Sequence, residues 1–125
     1  MKRREAIGGR SIQGLPFAKG YRAGDFVFVS GQVAHDDSGK LIAGGIEAQT
    51  RQVLRNIEAV LAEAGCTLGD VVKTTIWLDD VRDFGPFNRV YAEFFLADPP
   101  ARSTVRADLM LDAKIEIEAI AYKPQ

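Results

Sequence analysis

Cysteine and histidine are almost missing from this chain: Cys66 and His35 stand alone among 125 residues. A single thiol excludes an internal disulfide and makes a reducing cytoplasm the simplest location. One thiol with one imidazole cannot furnish a Cys/His zinc site, so no metal is expected. A Ser-His-Asp triad would have to use His35, beside Asp36 and Asp37, and no serine sits in a nucleophile elbow. The pairs Gly8-Gly9 and Gly44-Gly45 lack the spacing of a phosphate loop or a dinucleotide fingerprint, so no cofactor is expected either. No run approaches the ~18 apolar residues of a membrane span, and the start of the chain has no apolar signal core. Neither sign of charge is in surplus. With 16 Lys and Arg against 17 Asp and Glu, the net charge is −1, which gives no footprint for nucleic acid or an anionic membrane. Lys2-Arg3-Arg4 is a short basic start that reads as solvated.

Apolar residues make up 46% of the chain, enough to bury the core of one domain over residues 1–125. Weak strands are expected near 3–7 and 16–22, followed by a turn at Ala23-Gly24-Asp25 and a clear strand from Phe26 to Gly31. Asp36-Asp37-Ser38-Gly39 is a turn. A long helix should open at Gly44-Gly45 and run to about Ala64, because Val53, Leu54, Ile57, Val60 and Leu61 follow helical spacing and Gly65 stops it. Val71 to Leu78 reads as a strand. A second helix should start at Asp83, tolerate Pro86 in its first turn, bury Phe84, Phe87, Tyr91, Phe94 and Phe95, and end at Pro99-Pro100. Two strands finish the chain. The order β-β-β-α-β-α-β-β gives an α/β domain with a sheet of about six strands and two helices on one face. The strand at Phe26 is apolar on both sides: Phe26 and Phe28 on one, Val27 and Val29 on the other. The second sheet face therefore needs cover, and a symmetric partner is the economical source.

The last quarter carries the chemistry. Pro99-Pro100-Ala101-Arg102-Ser103-Thr104 places a cation at the start of a strand, and Ile115-Glu116-Ile117-Glu118-Ala119 places two carboxylates in an apolar one. Charges in such strands must be paired or used. Period-two geometry puts Arg102, Thr104 and Arg106 on one face, and Glu116 and Glu118 on one face of the next segment. Paired as an antiparallel hairpin, the two segments can bring these faces together. A fixed cation near a fixed carboxylate could grip an anionic substrate and activate a water. The structural alternative is a cross-strand ion pair.

These segments, with Ser30-Gly31-Gln32, Gln49-Thr50-Arg51-Gln52-Val53-Leu54, Asp70-Val71-Val72-Lys73-Thr74-Thr75 and Asn88-Arg89-Val90-Tyr91-Ala92-Glu93-Phe94-Phe95, occur in the order of one family. From about residue 16 to about residue 122 the chain resembles the Rid family of reactive intermediate deaminases, also called the YjgF family. The resemblance implies a homotrimer of chorismate-mutase-like subunits with sites in the clefts between neighbours. It also implies hydrolysis of enamines and imines such as 2-aminoacrylate and its 2-iminopropionate tautomer to 2-oxo acids and ammonia.

By the same resemblance Arg102 should hold the substrate carboxylate, its guanidinium offering two parallel donors. Glu116 should position and activate the water, while Glu118 has no assigned chemistry. Ser30, Gly31, Asn88 and Thr104 should line the pocket, Thr104 standing where relatives often have Cys. Phe17 replaces a Tyr that is common in relatives and loses its hydroxyl, which favours a bulkier or more apolar substrate. His35 follows Val33-Ala34, where Ile-Pro is common, and could assist proton transfer; a lone His in a polar loop is otherwise solvated. Cys66 follows the helix-ending Gly65 and reads as a small semi-buried residue, with no base or cation expected near it. The competing readings are a deaminase for a larger enamine such as an aminomuconate-like dicarboxylate, and a non-catalytic ligand-binding or chaperone-like oligomer. RNA cleavage, attributed to some relatives, is least favoured without a basic patch.

Overall fold

In a computed structural model, residues 4–125 are described. Lys2 and Arg3 of the basic start, and position 3 of the earliest expected strand, lie outside the described residues. The strands are β1 (Arg4–Arg10), β2 (Ala18–Ala23), β3 (Phe26–Gln32), β4 (Val71–Leu78), β5 (Ala101–Arg106) and β6 (Ile115–Tyr122). They form one six-stranded sheet in the order β1-β2-β3-β6-β4-β5. Among the paired strands of the described residues, neighbours pair antiparallel except β4 and β5, which pair in parallel. The crossover between them carries the second helix, as a parallel connection requires.

Helix α1 (Ile46–Glu63) buries Val53, Leu54, Ile57, Val60 and Leu61 against the sheet. Gly65, at φ +74°, ends it in a conformation that a Cβ disfavours. The last turn of α1 has no basic residue of its own. Buried Arg22 from β2 compensates by donating from Nη2 to the Ala64 carbonyl at 2.8 Å, satisfying a carbonyl the helix end leaves free.

Helix α2 (Phe84–Phe94) follows a short turn at Val81–Asp83 and packs beside α1. It ends at Phe94, short of Pro99-Pro100, where the Phe95 N–H bonds the Tyr91 carbonyl. Phe87, Tyr91 and Phe95 are buried as expected, but Phe84 is 46% exposed, because the first turn of α2 lies at the rim of the core.

The hairpin that would have brought the faces of the last two strands together does not form. Strand β6 inserts between β3 and β4, and β5 pairs with the far side of β4. The open sheet face carries Phe26 and Phe28, each 42% exposed, with Val105 and Tyr122 near 45%. The Phe26 and Tyr122 rings stack at 5.2 Å between centroids. Among the described residues no helix is long and apolar enough to cross a membrane.

Candidate functional site

Arg102 opens β5 on the helix-covered face, level with buried Thr74 of β4. Its guanidinium lies over three rings of α2: Tyr91 at 4.9 Å, Phe87 at 5.2 Å and Phe84 at 5.8 Å from the centroids. Such stacking holds the planar cation while leaving its N–H edges free. Tyr91 is itself fixed by a 2.7 Å hydrogen bond between its hydroxyl and Thr74 Oγ1. Nη1 of Arg102 donates to Asn88 Oδ1 at 2.8 Å. Asn88 is therefore a positioning residue for the guanidinium. Among the described residues no carboxylate pairs with Arg102, so the ion-pair alternative fails here.

Thr104, two residues along the same face, has a buried Oγ1 with no hydrogen-bond partner. It borders a hollow of about 230 Å³ with Phe84 and Val105. A buried hydroxyl without a partner is costly and marks a place where a donor or acceptor is missing.

Glu116 lies on the other face of the sheet. Its carboxylate sits over Gly31, where a Cβ would collide with Oε2. Glycine leaves room for that carboxylate, at the irregularity where β3 leaves register with β6. Burial pushes the Glu116 carboxyl above the usual carboxylate range, and the like charge of Glu118 adds to the effect. Among the described residues Glu116 has no ion-pair partner. It opens into a hollow of about 360 Å³ shared with Phe17, Gly31 and His35. The His35 Nδ1 lies 3.2 Å from the Asp36 carbonyl oxygen. A carbonyl only accepts, so that bond puts the ring proton on Nδ1 and leaves Nε2 as an acceptor in the neutral ring.

The candidates therefore fall into two half-sites. Arg102, Asn88 and Thr104 form one, while Glu116, Gly31 and Phe17 form the other. Register explains the split: Arg102 pairs with Thr74 and Thr74 with Ala119, whereas Glu116 pairs with Trp77, one step out of phase. Side chains one step out of phase point to opposite faces. The two charges do not share a cavity within one chain, contrary to the hairpin expectation. Ser30 borders a second hollow with Phe17 and Glu118, but its hydroxyl already donates to the Ala18 carbonyl at 2.7 Å. Cys66 is buried, and burial pushes its thiol pKa up, although the Arg22 guanidinium lies near enough to oppose the effect. Among the described residues no three His, Cys, Asp or Glu side chains converge as a metal site.

Sequence reasoning assigned the aromatic stripe of α2 wholly to the core and missed that Phe84, Phe87 and Tyr91 also cradle Arg102. The spacing of Phe84, Phe87, Asn88 and Tyr91, three or four residues apart, puts all four on one helix face and carried that signal.

The family described as Endoribonuclease L-PSP matches residues 12–123. A RutC family protein of Pyrococcus horikoshii is 48% identical over 110 residues, covering 86% of this chain and 87% of the relative. The 2-iminobutanoate/2-iminopropanoate deaminase of Salmonella typhimurium is 43% identical over 112 residues, covering 86% and 88%. The crystal structure of E. coli TdcF with bound serine superposes with a TM-score of 0.83 at 36% identity, covering 98% of this chain and 99% of that one.

Proposed function

This chain belongs to the Endoribonuclease L-PSP family, also called YjgF or Rid, and from that premise we propose that it hydrolyses 2-imino acids to 2-oxo acids and ammonia. The observation that carries the reading is a guanidinium held by stacking and by Asn88 and a half-buried carboxylate packed over Gly31, each, among the described residues, without an ion partner. The relative named as a deaminase supports it, and the serine bound to the E. coli protein is an amino acid with the carboxylate such a cation would grip. The net charge of −1 offers no surplus of cations for a phosphate backbone.

A complete site then needs a second copy of the chain. Its Arg102 half meets the Glu116 half of a neighbour, and the exposed apolar sheet face supplies a contact surface. A closed ring, such as a homotrimer, satisfies this head-to-tail arrangement. Free Arg102 N–H groups take the substrate carboxylate in two parallel bonds and so orient the imine carbon. Glu116 of the neighbour takes a proton from water as the oxygen bonds that carbon and the C=N pair moves to nitrogen, and it then passes that proton to the nitrogen. The carbinolamine hydroxyl next yields its proton, C=O forms, the C–N bond breaks, and the electron pair leaves with protonated nitrogen as ammonia. Water in and ammonia out balance the reaction.

The direct test generates 2-iminopropionate in situ and follows its decay with and without the protein. Faster decay with equal release of pyruvate and ammonia supports the proposal, and decay at the spontaneous rate rejects it. Two further results are expected in that assay. Glu116 must be ionised to accept a proton, and its pKa lies above the ordinary range. Activity should therefore fall as pH drops, from a higher pH than an ordinary glutamate would give. Glu118→Gln removes a like charge and should move that acidic limb to lower pH; an unmoved limb detaches Glu116 from the chemistry. Gly31→Ala should leave stability within about 1 kcal/mol, since the clash is with the free end of a flexible side chain. The displaced carboxylate should cost about a hundredfold in rate, and full activity in Gly31→Ala would contradict its placement.

A further inference from the structure

Helix α1 carries a polar row beside its core stripe. Gln49, Gln52 and Asn56 lie three and four residues apart and so share one face of the helix. Gln49 is buried, and Gln52 and Asn56 are half-buried. Amides withdrawn from water need partners, and each of these has them. Gln49 Nε2 donates to the Gly44 carbonyl at 3.4 Å, while its Oε1 accepts from the Lys114 N–H at 3.0 Å. Asn56 Nδ2 donates to the Val33 carbonyl at 3.1 Å and to the His35 carbonyl at 3.0 Å. Gln52 Nε2 donates to Asn56 Oδ1 at 2.9 Å and so fixes which way the Asn56 amide faces.

The two segments gripped in this way flank Glu116. Lys114 immediately precedes β6, two residues before Glu116, and its carbonyl accepts from the Asp79 N–H at 3.1 Å. Its backbone is therefore tied to α1 on one side and to the end of β4 on the other. Val33 immediately follows β3, two residues after Gly31, over which the Glu116 carboxylate sits. The turn it opens is tight: the His35 N–H bonds the Val33 carbonyl at 2.8 Å, and the Ala34 carbonyl accepts from the Ile42 N–H at 2.9 Å. Burial and the like charge of Glu118 act on the Glu116 carboxyl, and among the described residues no hydrogen bond opposes them. The place of that carboxylate is thus set by the backbone that carries it and by the backbone it packs on.

We propose that Gln49, Gln52 and Asn56 are positioning residues for Glu116, a clamp on the helix-covered side that fixes the entry to β6 and the exit from β3. The inference rests on the deaminase reading and extends the machinery of that same site. A reacting group misplaced by about 1 Å can cost on the order of a hundredfold in rate. Release of one of two grips should cost less than that.

The test makes Asn56→Ala and Gln49→Met in the full chain and measures imine hydrolysis, pyruvate binding and melting temperature for each. Either variant should lower kcat about tenfold, while pyruvate, held by Arg102 of the other half-site, binds within about twofold of wild type. The acidic limb of the pH profile should move to lower pH, because a carboxyl freed from its buried place regains water. The titratable groups around Glu116 are Glu118 beside it on β6, Lys19 of β2 and His35 of the turn, with Arg102 of the next copy in the assembled site; neither substitution removes any of them. Both variants lose hydrogen bonds and should melt lower, so kcat is taken per folded chain. An unchanged kcat with an unmoved acidic limb, whatever the melting temperature, makes the row a structural one and overturns this inference while the deaminase reading stands. Weakening of pyruvate binding equal to the fall in kcat overturns it as well, because the disturbance then reaches beyond Glu116. No acceleration by the wild type overturns the deaminase reading, and this inference falls with it.

Discussion

Arg102→Ala is expected to lower kcat/KM for 2-imino acid hydrolysis about a hundredfold or more. Charge-assisted hydrogen bonds contribute roughly 1.5–3 kcal/mol each, and the proposed grip uses two. The loss should also appear as weakened binding of unreactive 2-oxo acids such as pyruvate, because the guanidinium would hold their carboxylate equally. Stability should change less. Arg102 stands at the start of an edge strand, has no ion partner among the described residues, and makes one hydrogen bond, to Asn88. Its stacking on Phe84, Phe87 and Tyr91 contributes on the order of 1 kcal/mol. Arg102→Lys keeps the charge and loses the planar fork, so it should recover only part of the activity. Wild-type kinetics in a folded Arg102→Ala protein would remove the arginine from the site.

Glu116→Gln is expected to have the opposite signature. The amide keeps the shape of the side chain over Gly31 but takes no proton, so kcat should fall by about 10² to 10⁴ while binding of 2-oxo acids is retained through Arg102. Folding should not suffer. The folded state raises the Glu116 pKa, by burial first and by Glu118 second. A raised pKa means that the folded chain holds this proton more tightly than the unfolded chain. The favourable contribution is complete below the unfolded pKa and is lost as pH rises through the folded one. At neutral pH the wild type therefore carries an ionised, partly buried carboxylate that disfavours the fold, and Gln removes it. The melting temperature of Glu116→Gln should equal or exceed that of the wild type at neutral pH, with the gap closing in acid. A variant that melts well below the wild type at neutral pH would make Glu116 a structural residue.

Much of the fold was legible in local pattern. The 3.6-residue spacing from Val53 to Leu61, the stop at Gly65 and the β-branched run at Val71 to Leu78 are properties of short windows, and α1 and β4 lie where those windows place them. Strand order is not a local property. Residues 101–106 and 115–122 are neighbours in sequence, which suggests a hairpin, yet β6 finds its partners in β3 and β4. Side-chain alternation correctly grouped Arg102 with Thr104 and Glu116 with Glu118. It could not say whether the two groups faced the same way, because a one-residue change of register inverts that relation. The need for cover on the second sheet face and the separation of the half-sites have one physical origin: the sheet has a helix-covered face, which holds Arg102, and an open face, which holds Glu116. Asn88 and Thr104 entered through family resemblance. Their particular places, one bonded to the guanidinium and one an unpartnered hydroxyl, depend on contacts between distant segments.

The central proposal is that each site joins Arg102 of one copy to Glu116 of its neighbour. It is tested most directly by mixing Arg102→Ala and Glu116→Gln chains, each at about a hundredth of wild-type activity or less alone, in equal amounts under conditions that exchange subunits. A site between copies predicts that activity returns, to about a quarter of the wild-type level for random assembly into a closed ring of any size. No recovery in mixtures shown to contain both chains in one oligomer would contradict the account.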